Sequence, residues 1–141
     1  MPELSPALNT NNPLYATMKD INEARRYLSN AKEILREKAI KEDGFYKDRK
    51  YVKMAGHTAY SGVLVALDAV FGDKKKGRKS VEWYKEELSQ IDKKILSAFV
   101  GAYDTLHLAM SYDGNLVAGI SREGLDLAEI IINWAERKTA A

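Results

Sequence analysis

An all-α fold, one antiparallel up-and-down four-helix bundle with room for a short fifth helix, is what three features of this sequence predict. Apolar residues recur at steps of three and four along most of the chain, and no alternating strand pattern lasts more than a few positions. The segment from Met54 to Phe71 is built largely from residues with almost no side chain. A helix that lean lets neighbouring backbones come close, so it belongs in the middle of a bundle, and short polar connections make its neighbours antiparallel.

Residues 1–12 mix turn formers and two prolines without a sustained period, which reads as a flexible leader before a single domain at 13–141. Asn12 can cap the first helix and Pro13 suits its first position, because proline has no N–H to leave unpaired. Leu14, Met18, Ile21, Ala24, Leu28, Ala31, Leu35 and Ala39 form the apolar stripe, and the helix is expected to run to about Glu42, where Gly44 stops it. The second helix spans about Asp48 to Phe71 and buries Val52, Ala55, Ala59, Val63, Ala66 and Val70. Gly56 and Gly62 each cost it about 1 kcal/mol relative to alanine, a loss that close packing of a neighbour recovers.

Gly72 ends that helix, and the basic loop Lys74, Lys75, Lys76, Arg78 and Lys79 follows. Ser80 is the N-cap of a long third helix, about Val81 to Ser111, with Glu82 in its first turn where the helix dipole favours an acid. Its stripe is Tyr84, Leu88, Ile91, Ile95, Ala98, Ala102, Leu106 and Ala109. From Leu96 onward Phe99, Val100, Tyr103 and Met110 widen that stripe almost all round, so this half is either central or covered by a second copy of the chain. Tyr112-Asp113-Gly114-Asn115 is a turn, and a last helix starting between Leu116 and Ser121 turns Ile120, Leu127, Ala128, Ile131 and Trp134 inward.

With 141 residues the chain can bury roughly two thirds of its unfolded surface and stand as one domain without staples. Its 22 basic and 20 acidic side chains alternate along helices as solvated faces do, which argues against a dedicated duplex binder. The absence of cysteine removes disulfides, thiolate catalysis and thiolate metal sites. No signal peptide is recognisable and no apolar stretch reaches the ~20 residues that span a bilayer, so a cytoplasmic protein is expected, with no membrane.

The two histidines, His57 and His107, both fall in the middle of helices. Asp104 precedes His107 by three residues and shares its face, but no second carboxylate-histidine pair exists, and no metal or other cofactor is expected. His57, Tyr60, Tyr103, Asp104 and His107 are instead expected to form a polar cluster between the second and third helices, because buried polar groups need partners. Such a cluster either fixes the register of the helices or lines a small pocket. The basic loop departs from the phosphate-loop spacing and has no strand before it, which leaves a solvated connection or an electrostatic docking point for RNA or an acidic partner. Trp83 and Tyr84 follow it directly, as single-stranded nucleic acid would need for stacking.

The order of long helix, lean helix with Ala59-Tyr60-Ser61-Gly62-Val63-Leu64-Val65-Ala66-Leu67, polar loop and long helix ending in Tyr112-Asp113-Gly114 resembles the HEPN-like helical bundles. These are small prokaryotic domains related to the C-terminal bundle of kanamycin nucleotidyltransferase, and the nearest likeness within them is to small bacterial families. The resemblance covers about residues 14–138. It implies a homodimer and work beside a nucleotidyltransferase-type protein or nucleic acid. Active members are ribonucleases with an arginine, four to six residues and then a histidine. Phe99 to Asp104 contain no arginine at that distance before His107, and Arg49 lies too far before His57, so no catalytic residue carries over.

The leading expectation is a non-catalytic HEPN-like bundle, a homodimeric binding or accessory module. One alternative is a degenerate ribonuclease or nucleotide-processing enzyme that uses His107 and Asp104 with Tyr103, since a histidine near its ordinary pKa of about 6.5 can do acid–base work. Another is a small-ligand pocket lined by Tyr60, Leu64, Phe99 and Tyr103.

Overall fold

In the computed structural model, which describes residues 13–140, every long element is helical. The expected leader lies outside the described residues. Helix α1 runs from Pro13 to Ile34 and continues as a wider π turn over Leu35–Ala39. A small antiparallel hairpin follows, β1 Lys41–Glu42 and β2 Phe45–Tyr46. Helix α2 is Arg49–Phe71, α3 is Val81–Ile91, α4 is Lys93–Ala102, and α4 continues as a π segment over Tyr103–Tyr112. Helix α5 is Ala118–Ala140.

Helix α2 is the central element, packed against α1, α5 and the π segment, while α4 lies on α5 and α3 on α4. It is 23 residues long and apolar enough, by length and composition, to meet the criterion for a bilayer span, which corrects the expectation that no such stretch exists. Half of its most apolar window is buried against the other helices, as befits a core helix. Its glycines do what the sequence implies. A Cβ on Gly56 would sit 2.6 Å from both Leu106 O and Met110 Cβ, and one on Gly62 would sit 2.9 Å from Ala24 O and Tyr27 Cβ. The asymmetric approach recurs at Gly124, 2.7 Å from the Leu106 and Thr105 side chains. Of the residues that widen the apolar stripe from Leu96 onward, Phe99 and Met110 are fully buried, while Val100 and Tyr103 are half-buried.

Two expectations are corrected. The first helix does not reach Glu42, because Asp43 and Gly44 both take positive φ, 53° and 83°, the backbone that a two-residue hairpin turn requires. The hairpin is anchored by Tyr46 N donating to Leu116 O and Ala118 N donating to Gly44 O. At the junction Ile40 holds φ 58° and ψ 114°, a conformation costing a β-branched residue about 1–3 kcal/mol. Its N–H donates to Leu35 O, and its carbonyl accepts from Lys47 N, which together impose that shape.

The third helix is not continuous either. Asp92 is extended, and its carboxylate accepts from the N–H groups of Lys94 and Ile95, so it closes α3 and caps α4. Among the described residues there are thus five helices, the expected third one being divided in two. The break also swings Ile91 out to 45% exposure, and Met18 on α1 is 41% exposed, so both leave the expected core. The rest of the α1 stripe from Ile21 to Ala39, and Ala128, Ile131 and Trp134 of α5, are buried as the periodicity requires.

Candidate functional site

The lean helix carries one acidic residue, Asp68, and it sits beside the basic loop. Tyr84, one turn into α3 behind the Ser80 cap, donates its hydroxyl hydrogen to Asp68 Oδ1 at 2.7 Å. Lys79 approaches the same oxygen at 3.4 Å, its side chain only 11% exposed and its ammonium 5.9 Å from the Trp83 ring centre. These contacts pin the end of the loop against α2. They also border a half-open cavity of about 530 Å³, within the size range of small-molecule sites. Tyr60, Leu64 and Asp68 of α2 form one side, residues 77–81 and Tyr84 another, and His107 of the π segment a third.

His107 is held by rings. Its centre lies 5.0 Å from Tyr60 and 5.1 Å from Tyr103, with Tyr112 edge-on at 6.4 Å. Tyr60 is 7% exposed, and its hydroxyl is buried with no hydrogen-bond partner. Burial, and secondarily Tyr103, push the Tyr60 phenol far above the ordinary tyrosine range, so it stays a hydrogen-bond donor. Burial, the hydrogen bond to Asp68 and its negative charge do the same for Tyr84.

Of the expected polar cluster, the structure thus brings together Tyr60, Tyr103 and His107. His57 is exposed, on the strip of α2 shared with Lys53 and Ser61, one residue past the buried face at Gly56. Asp104 is exposed too, and no hydrogen bond joins it to His107 among the described residues. Phe99 is fully buried against Tyr60, and Tyr103 is in ring contact with both Tyr60 and His107; neither Phe99 nor Tyr103 lines the cavity. The basic loop divides. Lys74 pairs with Glu87 at 2.7 Å and Lys79 with Asp68, whereas Lys75, Lys76 and Arg78 are exposed.

The sequence gives no link between the loop and the histidine cluster; it offers Tyr84 only as a stacking residue beside the loop, and Asp68 not at all. The signal was present in Asp68, a lone carboxylate in an otherwise apolar stretch of helix. No three residues among His, Cys, Asp and Glu converge as a metal cluster among the described residues.

A family model described as a domain of unknown function, DUF5618, matches residues 19–137. A solved structure described as a protein of unknown function from Dyadobacter fermentans is similar at 59% identity, covering 86% of this chain and 96% of that one, with a TM-score of 0.80. No curated protein matches the chain.

Proposed function

The chain belongs to the DUF5618 family, and from the geometry of its cleft we propose that it is a non-catalytic small-ligand-binding module of the HEPN-like kind. The observation that carries this reading is the cavity to which α2, the loop and the π segment all contribute, with Tyr60 in its wall and the Tyr60 hydroxyl itself buried without a partner. An unsatisfied buried donor costs about 1–3 kcal/mol, a cost that a small shift of Tyr60 toward a ligand acceptor in the cavity removes. The groups around it define the ligand's chemistry. The His107 and Tyr60 rings offer flat apolar surface, Arg78 and Lys79 offer positive charge, and Asp68 accepts a hydrogen bond. A small planar anion, an aromatic or heteroaromatic ring bearing a carboxylate or phosphate, fits that set.

The non-catalytic half of the reading is supported by the missing arginine before His107 and by the exposed Asp104, which makes no hydrogen bond to His107 among the described residues. The test is a titration followed by NMR, reading the ring protons of His107 against hydroxybenzoate, indole carboxylate and adenosine monophosphate. Saturable shifts at His107, lost in Lys79→Ala, support the reading. Shifts confined to Lys75 and Lys76, or no saturable shift with any of the three, contradict it.

A further inference from the structure

A second cavity, of about 500 Å³, lies between the end of α1 with its π turn, the hairpin and the start of α5. Four cations line it, Lys32, Arg36, Lys41 and Arg122, against one carboxylate, Asp126. Two of the four are engaged nearby: Lys32 reaches Glu129 at 3.9 Å and Arg36 reaches Glu37 at 3.6 Å. Lys41 and Arg122 make no ion pair among the described residues, although Asp126 stands one helical turn beyond Arg122.

The floor beneath these charges is apolar, made by Leu35 and Leu125. Ile40, 48% exposed as a residue, joins the wall at a backbone shape that a β-branched residue adopts only under constraint. The Tyr46 phenol completes the wall, and burial keeps its titration above the ordinary range against the opposing charge of Arg122.

We infer that this cavity is a binding site for an anionic amphiphile, a short apolar chain ending in a carboxylate or a phosphate. Arg122 and Lys41 take the head group, while Leu35, Ile40 and Leu125 take the chain. A bare inorganic anion would leave the apolar floor uncovered, and a neutral lipid would leave two unpaired cations unanswered. The site is separate from the Tyr60 cleft, and its test does not depend on that cleft binding anything.

Isothermal titration of the full chain with decanoate below its micelle concentration, with decyl phosphate and with inorganic phosphate tests the assignment. Saturation by decanoate or by decyl phosphate supports it and identifies the head group, with inorganic phosphate weaker by about tenfold or more. The double variant Lys41→Ala/Arg122→Ala, altered only at exposed positions, should lose about tenfold or more in affinity, whereas Lys75→Ala/Lys76→Ala on the distant loop should bind as the parent does. Circular dichroism of both variants separates a binding defect from unfolding, and Arg122→Lys should restore part of the affinity. No saturation with either amphiphile, equal binding by inorganic phosphate, or undiminished binding by the folded double variant overturns the inference.

Discussion

Tyr84 donates its hydroxyl hydrogen to Asp68 across 2.7 Å, and this bond fastens the start of α3 to the end of α2 with the loop between them. Tyr84 is buried, and its phenol is pushed far up by that burial first and by the Asp68 contact second; Tyr60 is raised as well, chiefly by burial. Groups raised in the folded chain hold their protons where the unfolded chain has lost them. Their stabilisation is therefore complete below the ordinary tyrosine pKa of about 10 and is lost as pH climbs above it toward the folded values, at about 1.4 kcal/mol per pH unit for each group. Urea unfolding between about pH 8 and pH 11 should show a plateau and then a steep fall. A stability that stays flat above pH ~10 would contradict the burial assigned to these two phenols.

Two glycines give opposite expectations. Gly56→Ala forces a Cβ to 2.6 Å from the Leu106 carbonyl and should destabilise by about 1–3 kcal/mol or more, outweighing about 1 kcal/mol of helix propensity. Gly119, near the start of α5, has nothing within 4 Å of its missing Cβ, so Gly119→Ala should stabilise by about 0.4–1 kcal/mol. Chemical denaturation of both variants decides the matter, and equal behaviour would mean that α2 and the π segment are not in backbone contact.

Asp92→Ala removes the acceptor for two N–H groups at the start of α4. A loss of about 1 kcal/mol is expected, with Thr105 and the π segment unaffected because their bonds lie further along. Thermal unfolding measures the loss, and amide exchange should localise it to Lys94 and Ile95. An unchanged melting temperature would mean that the helix runs through Asp92 after all.

At Ile40 the substitution to glycine relieves about 1–3 kcal/mol of backbone strain and gives back about 0.5–1 kcal/mol in chain entropy, plus the packing of a half-exposed side chain. Ile40→Gly should thus be no less stable than the parent. A drop above about 1 kcal/mol in urea unfolding would show that the side chain's packing, rather than its backbone shape, dominates there.

The long helices were legible because their signal is periodic: Ile21 to Ala39 and Val52 to Ala66 repeat every three or four residues and are buried in that order. What was not legible hangs on single residues that can be read in two ways. Asp43-Gly44 ends a helix as well as it turns a hairpin, and Asp92 sits comfortably on a solvated helix face until its carboxylate finds two free N–H groups. The site suffered for a different reason. Tyr60 and His107 were found because aromatic polar groups stand out in a lean core, but their neighbours Asp68 and Lys79 come from the far end of α2 and from a loop, and only the folded chain joins them. His57 misled because residue type alone does not say which side of Gly56 a helix turns to water.

The most direct measurement on the central claim is native mass spectrometry of the parent and of Tyr60→Phe, each purified gently from the natural host. Phenylalanine keeps the ring contacts to His107 and Phe99 and removes only the partnerless hydroxyl, so Tyr60→Phe should fold with stability equal to the parent or about 1 kcal/mol higher. A small molecule of fixed mass carried by the parent and missing from Tyr60→Phe is the predicted result. The same mass on both proteins, or two bare polypeptides, would contradict a ligand site built around Tyr60.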